Sequence, residues 1–373
     1  MKLLIYTLLC VISICLHSHA SELTHTSISG QILDSETREP LAFANIIYGN
    51  HGTTSNMDGH FVLNTDHQNK ETRLIIKYIG YETATLTLED GGTGLVIELK
   101  PESKVLDGVT IYTADDVIKD VIHFHQINYE FKDQLLHSYY KESIQSDGDY
   151  YYIAEGLFSI YLPTIYSDNK LAVSARKTRK KEFVSLDTVK IPMIQGHVTD
   201  MVDGSARRKG SFLDADYINN YKFTKDEVTT YDGREVFKIT YEPINKKATS
   251  QGTIFIDIES KAIIKAEYYP TLDRQTFWTN VMWTEEYKEI DGTWYIHRVS
   301  YQGEWEYKNK KYAYDALMVV TDFKNVSKKP YFKDELTEDA VFFKEASVFS
   351  DTFWANDTHL ELTETERVSF AKK

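Results

Sequence analysis

Cysteine is nearly absent from this chain of 373 residues: there are two, Cys10 and Cys15. Both fall within the first twenty residues, so nothing beyond them can build a disulfide framework or a thiolate metal site. Basic charge is short as well, with 42 Lys and Arg against 56 Asp and Glu and a formal net charge of −14. Nucleic-acid backbones are held by basic footprints that release counterions, so a nucleic-acid partner is excluded. After residue 20 no long apolar run occurs, Ala316-Leu317-Met318-Val319-Val320 being typical. A membrane-spanning helix needs about 20 such residues, so no span is expected beyond that point.

Recognisable catalytic signatures are also missing. No pair of His residues stands four apart around a Glu, the arrangement of a zinc-hydrolase helix, and His197 and His297 stand alone. No Gly-flanked Ser forms a nucleophile elbow, and Gly91-Gly92-Thr93-Gly94 lacks the rest of a phosphate-binding fingerprint. Asp257 and Glu259 share a strand face as an acid/base pair would, but with 56 acidic residues spacing alone singles out none of them. The expectation is a protein that is not an enzyme, with no catalytic residue, no cofactor and no metal.

What the sequence contains is a globular composition, 42% hydrophobic and 13% aromatic, long enough for two or three domains. Lys2 precedes an apolar run from Leu3 to Leu16, and Ser18-His19-Ala20 supplies small residues at the cleavage positions. Residues 1–20 therefore read as a secretory signal peptide, cut between Ala20 and Ser21. Ile14 before Cys15 and Leu9 before Cys10 are bulky, which disfavours a lipid-anchored cysteine.

From 21 to 112 the chain alternates short β-branched runs with turns about every ten residues, the spacing of a β-sandwich of seven strands. Asp58-Gly59 suits a tight connection, and Gly80 lets the chain reverse before Tyr81. Four motifs follow in order: Ile28-Ser29-Gly30-Gln31-Ile32-Leu33-Asp34, Glu39-Pro40-Leu41-Ala42-Phe43-Ala44-Asn45-Ile46, Gly52-Thr53-Thr54-Ser55-Asn56-Met57-Asp58-Gly59-His60-Phe61 and Tyr78-Ile79-Gly80-Tyr81-Glu82-Thr83. Together they resemble the carboxypeptidase-regulatory-like domain. The resemblance implies a transthyretin-like sandwich in an exported protein of Gram-negative bacteria, located in the periplasm or on the periplasmic face of the outer membrane. Its motif residues here are Gly30, Pro40, Asp58, Gly59, Phe61, Gly80 and Tyr81. The family takes its name from a non-catalytic companion of a zinc peptidase, and no peptidase domain is apparent in this chain. Asn56-Met57-Asp58-Gly59 could offer oxygens to calcium, but no bidentate Glu follows at the spacing of a calcium loop, so a hairpin turn is expected. In nutrient receptors a segment like Val105–Tyr112 leads from the sandwich towards a barrel. The remaining chain lacks the alternating membrane-facing strands of such a barrel, which excludes a transporter.

A junction helix is predicted over 113–132, with Thr113 as cap, Asp115 and Asp116 in its first turn, and Val117, Ile118, Val121, Ile122 and Phe124 on neighbouring turns. His123 and His125 are two apart and project to different sides, so they cannot share an ion. Residues 133–348 return to strands joined by hairpin signals such as Ser146-Asp147-Gly148-Asp149, Asp232-Gly233 and Asp291-Gly292. The two-residue alternation of Ile254, Ile256 and Ile258 against Thr253, Phe255 and Asp257 implies one large curved antiparallel sheet, a half-barrel or barrel with one apolar face. Its strand pairs are similar to those of the periplasmic lipoprotein-carrier superfamily. Arg176, Lys177, Arg179, Lys180 and Lys181 read as a solvated strand face, and Asp203–Gly210 as a loop. The tail, 349–373, should pack one aromatic anchor, Phe353 or Trp354, and then fray.

The expected function is a cell-envelope binding or scaffolding protein whose partner is an unknown envelope protein, lipid or glycan. One alternative is a periplasmic lipid or lipoprotein carrier that uses the curved sheet as a cavity. The other is glycan binding, motivated by Trp278, Trp283, Trp294 and Trp305.

Overall fold

The computed structural model describes residues 26–49, 51–65, 72–88, 92–102, 112–129, 132–164, 169–185, 192–194, 197–202, 212–347, 354, 357 and 359–371. The signal segment with Ala20 and Ser21, most of the connector at 105–112, the loop at 203–210 and Phe353 lie outside these residues.

Seven short strands come first: β1 (Thr26–Asp34), β2 (Asn45–Tyr48), β3 (His51–Thr54), β4 (His60–Thr65), β5 (Arg73–Lys77), β6 (Ala84–Thr87) and β7 (Gly92–Leu99). They form two sheets, ordered β4-β1-β7 and β3-β2-β5-β6, with β1 and β7 parallel and the remaining pairs antiparallel. Period-two alternation turns Ile28, Ile32, Ile46, Phe61, Leu63, Leu74 and Ile76 into a shared core, each fully shielded from solvent. Gly30 is required by the close approach of β1 and β7, because a Cβ there would lie 2.4 Å from the Leu95 carbonyl oxygen.

Helix α1 (Ala114–Asn128) follows, and its Thr113 hydroxyl accepts the Asp116 N–H at 3.2 Å. Val117, Ile118 and Val121 are buried against the large sheet, while His123 is exposed and the His125 ring lies against Tyr129.

The second body consists of β8 (Gln134–Ser146), β9 (Asp149–Leu162), β10 (Ala172–Glu182), β11 (Tyr221–Tyr231), β12 (Arg234–Pro243), β13 (Ser250–Asp257), β14 (Ile263–Pro270), β15 (Trp278–Ile290), β16 (Thr293–Tyr307), β17 (Lys310–Asn325) and β18 (Glu335–Leu336). Short helices α2 (His197–Asp200), α3 (Phe342–Glu345) and α4 (Glu364–Ala371) complete it. The eleven strands make one sheet, ordered β11-β12-β13-β14-β15-β16-β17-β8-β9-β10-β18, antiparallel throughout and open at β11 and β18.

The two faces of this sheet are covered differently. One carries Tyr140, Ile144, Ile254, Ile256, Ala266, Val299 and Trp305 in a continuous apolar cluster, which α1, Met201, Phe212 and the α3 residues Phe342 and Phe343 complete. The opposite face holds a smaller cluster of Tyr139, Leu157, Leu317 and Val319, closed by Trp354 and Leu360 from the C-terminal segment and by Phe43 from the sandwich. The tail thus packs Trp354 as its aromatic anchor, and beyond it residues 364–371 are helical in α4 where the sequence predicts fraying. Nor is the whole basic run a solvated face: Arg179 on β10 is buried, with its Nε 2.7 Å from Glu155 Oε2 and its guanidinium over the Trp354 ring.

Candidate functional site

A cleft of about 370 Å³ opens between the sandwich, the second face of the sheet and the C-terminal segment. Its floor comes from alternate residues of neighbouring strands. Asp315 on β17 stands in register with Ser143 on β8 and Gln302 on β16, and one row along Leu317 stands with Lys141 and Ser300. Met57 and Phe43 of the sandwich form one wall, and Leu360, Thr363 and Glu366 another.

Most of the charge in the cleft is paired. Lys141 Nζ lies 2.7 Å from Glu366 Oε1, both groups largely shielded. Burial would depress the Lys141 ammonium, but the carboxylates of Glu366, Glu155 and Asp315 together outweigh it and hold the group above the usual lysine range. Lys265 meets Glu267 at 2.6 Å. Arg298 grips Glu286 with two bonds, of 2.6 and 3.1 Å, and stacks 4.3 Å from the Phe43 ring centre. Burial pushes Glu286 up, yet the guanidinium prevails and keeps it below the ordinary carboxylate range. Asp315 differs. Its oxygens accept from the carboxamides of Gln145 and Gln302, each at 3.2 Å, and burial raises its carboxyl above the usual value.

The α4 cap joins the sandwich to this wall. Thr363 and Glu366 form a capping box: the Thr363 N–H donates to Glu366 Oε2 at 2.8 Å, and the Glu366 N–H donates to Thr363 Oγ1 at 3.2 Å. A third N–H of this turn, that of Glu364, donates to Asp58 Oδ2 at 2.6 Å. The Asn56-Met57-Asp58-Gly59 segment is a turn, since Asn56 Oδ1 accepts the N–H groups of Asp58 and His60 at 3.0 and 2.9 Å. Gly59 there has φ +75°, and a Cβ would lie 2.5 Å from the Ile32 carbonyl oxygen.

The other motif residues are structural in their surroundings. Phe61 fills the sandwich core, and Pro40 bridges Leu33 at the edge of β1. The Gly80 N–H donates to Thr230 O at 2.7 Å, tying the sandwich to β11. The Tyr81 hydroxyl donates to Asp34 Oδ2 at 2.6 Å and, with the Thr37 N–H, holds that carboxyl below its ordinary value. Only Asp58 reaches the neighbourhood of the cleft.

The carboxylates and rings considered in the sequence are placed elsewhere. Asp257 is buried, 3.4 Å from Arg234 and bonded by the N–H and hydroxyl of Ser260, while Glu259 lies exposed in the following turn. His297 is buried, and burial together with the Lys288 ammonium drives its imidazole down to about 3, so it stays neutral. Trp283, Trp294 and Trp305 are buried in the apolar cluster, and Trp278 is half-buried over Gly303. On the apolar face, Glu142 accepts from the hydroxyls of Tyr140, Tyr314 and Tyr152 at 2.8, 2.9 and 3.3 Å, and burial raises its carboxyl to about 7. Glu285 accepts in the same way from Tyr268 and Tyr287. Among the described residues no three metal-ligating side chains come together, and no helix is long and apolar enough to cross a membrane.

Sequence reasoning missed Lys141, Gln145, Gln302, Asp315 and Glu366, which come together only through strand register and the return of the tail. The Thr363-x-x-Glu366 spacing was the one local signal available, marking a helix start.

Residues 28–111 match the model of the CarboxypepD_reg-like domain. No curated protein matches the chain. Among solved structures, a domain described as that of an outer membrane lipoprotein-sorting protein from Vibrio parahaemolyticus is 12% identical, covers 58% of this chain and 95% of its own, and has a TM-score of 0.28. A DUF1329 family protein from Desulfovibrio piger has the same identity and coverage with a TM-score of 0.27. A membrane-associated protein of unknown function from Bacteroides fragilis is 9% identical over 81% of this chain and 99% of its own, with a TM-score of 0.18. At such scores none of them bears on what the chain does. The ordered motifs, the two-sheet sandwich they build and the family match coincide on one stretch, and residues 28–111 are a carboxypeptidase-regulatory-like domain.

Proposed function

We propose that the chain is a non-enzymatic binding protein of the cell envelope, exported by its N-terminal apolar segment to the periplasm or the periplasmic face of the outer membrane. Its binding site is the cleft between the sandwich and the large sheet. The observation that carries this reading is the convergence of polar side chains from three distant parts of the chain on one concavity of about 370 Å³. Small-ligand clefts span about 300–1,000 Å³ and combine apolar walls with a few converging polar groups. Binding fits better than acid/base chemistry, because Lys141, Lys265 and Arg298 each engage a carboxylate and Asp315 is held by two carboxamides. The polar face also fits better than the apolar one as a binding surface. A lipid carrier needs its apolar face open, and here Met201, Phe212, Phe342 and Phe343 lie in the cluster that covers it.

Native mass spectrometry of the full chain purified from envelopes tests the proposal. A small polar adduct is expected on the wild type and lost in Ser300→Phe, which fills the cleft floor. A lipid adduct that persists in that variant, or turnover of a glycoside, ester or peptide panel, overturns it.

A further inference from the structure

Pairing off the charges of the cleft, taken as the binding site proposed above, defines a class of ligand. Lys141 belongs to Glu366, Lys265 to Glu267, and Arg298 to Glu286. Asp315 has no such partner among the described residues. Its two contacts are neutral carboxamide donors, Gln145 Nε2 and Gln302 Nε2, at 3.2 Å each. An ionised carboxylate offers about four acceptor positions, so two donors leave room for two more. Among the described residues Asp315 is thus the cleft carboxyl without an ion-pair contact, Lys141 acting on it only through space, and it faces a cavity large enough for a small molecule.

The groups around that charge are hydroxyls. Ser143 stands directly beside Asp315 in the β8–β17 register, and Ser300 and Thr284 continue the floor as neighbours in the β15–β16 register. Met57, Met282 and Leu360 supply apolar contact. An anionic ligand would meet Asp315, and the described cations of the cleft are each already paired with a carboxylate. A neutral polyol would satisfy the hydroxyls but forgo the charge.

We propose that the cleft takes a small hydroxyl-rich monocation, of which a free amino sugar is the simplest. Its ammonium sits on Asp315 and its hydroxyls on Ser143, Ser300 and Thr284. A charge-assisted hydrogen bond contributes roughly twice as much as a neutral one, so the amine should bind about tenfold tighter than its uncharged analogue.

Methionine methyl NMR on the full chain locates the effect, because Met57 and Met282 line the cleft whereas Met201 and Met318 are buried elsewhere. Glucosamine is expected to shift Met57 and Met282 and leave Met201 and Met318 unmoved. Glucose and glucuronate should do so at least about tenfold more weakly, and Asp315→Asn should abolish the preference. If glucose or glucuronate binds as tightly as glucosamine at those two methyls, or if Asp315→Asn keeps the preference, the monocation assignment fails while the cleft remains a site. If none of the three probes moves Met57 or Met282, the ligand class is overturned. The adduct on the wild type and its loss in Ser300→Phe then decide separately whether the cleft binds anything.

Discussion

The sandwich core is aliphatic apart from Tyr48 and Phe61, whereas the apolar face of the large sheet buries tyrosine hydroxyls around the carboxyl groups of Glu142 and Glu285. Both regions solve the same problem of covering one side of a sheet. The sandwich does so with two facing layers whose core side chains, Tyr48 aside, carry no polar group. The large sheet, eleven strands wide and not closed, relies on bulky rings, and each buried hydroxyl must then find an acceptor. Its interior is consequently sensitive to protons at Glu142, whereas the apolar core cluster of the sandwich contains no carboxyl group.

The largest expected effect lies on the sandwich side. Phe61→Ala removes a fully buried ring and should cost about 4 kcal/mol of stability with no dependence on pH, measured by urea unfolding at pH 5 and pH 8. A cost that changes between the two pH values would blur the contrast. The next is Glu142. A carboxyl raised from 4.5 to about 7 by burial binds its proton more tightly in the folded state. Stability should therefore be highest below pH 4.5 as far as this group is concerned and fall as pH rises towards 7, by up to roughly 3 kcal/mol at about 1.4 kcal/mol per unit. Glu142→Gln, neutral at every pH, should flatten that decline. An unchanged slope in the variant would assign it to other groups. The smallest effect sits where the two regions meet: Asp58→Ala removes an acceptor from the first turn of α4 and should cost about 1 kcal/mol, with the loss of protection concentrated in amide exchange of 364–371.

The same contrast explains what could be read in advance. Hairpin turns were legible because their chemistry is local: Asp147-Gly148, Asp232-Gly233 and Asp291-Gly292 all have positive φ at both residues, which few other dipeptides tolerate. The apolar face was legible from period-two alternation of Ile254 and Ile256. The second face was not. Alternation says that Lys141 and Asp315 point away from the core, but it cannot say that a helix at the far end of the chain returns to cover this face, as Glu366 does on Lys141 from more than two hundred residues away. Arg179 departs from the solvated-face pattern for the same reason. A basic run normally faces water, and only the register of β9 and β10, with Glu155 opposite Arg179, makes a buried pair of it. Sequence pattern assigns a residue to a side, whereas tertiary closure decides whether that side is wet.

An unclosed sheet has two borders that could recruit foreign strands, and the chain treats each of them. Along β11 the pairing slips between Lys225 and Val228, and Lys222 and Lys225 crowd the strand with charge. At the far border β18 is two residues long, and further along β10 the Ser347 carbonyl takes the Lys180 N–H at 2.7 Å and the Thr178 hydroxyl takes the Ser347 N–H. Irregularity, lysine and brevity are the usual deterrents to edge-to-edge aggregation. The chain can thus keep a broad open sheet whose rims are guarded against polymerisation.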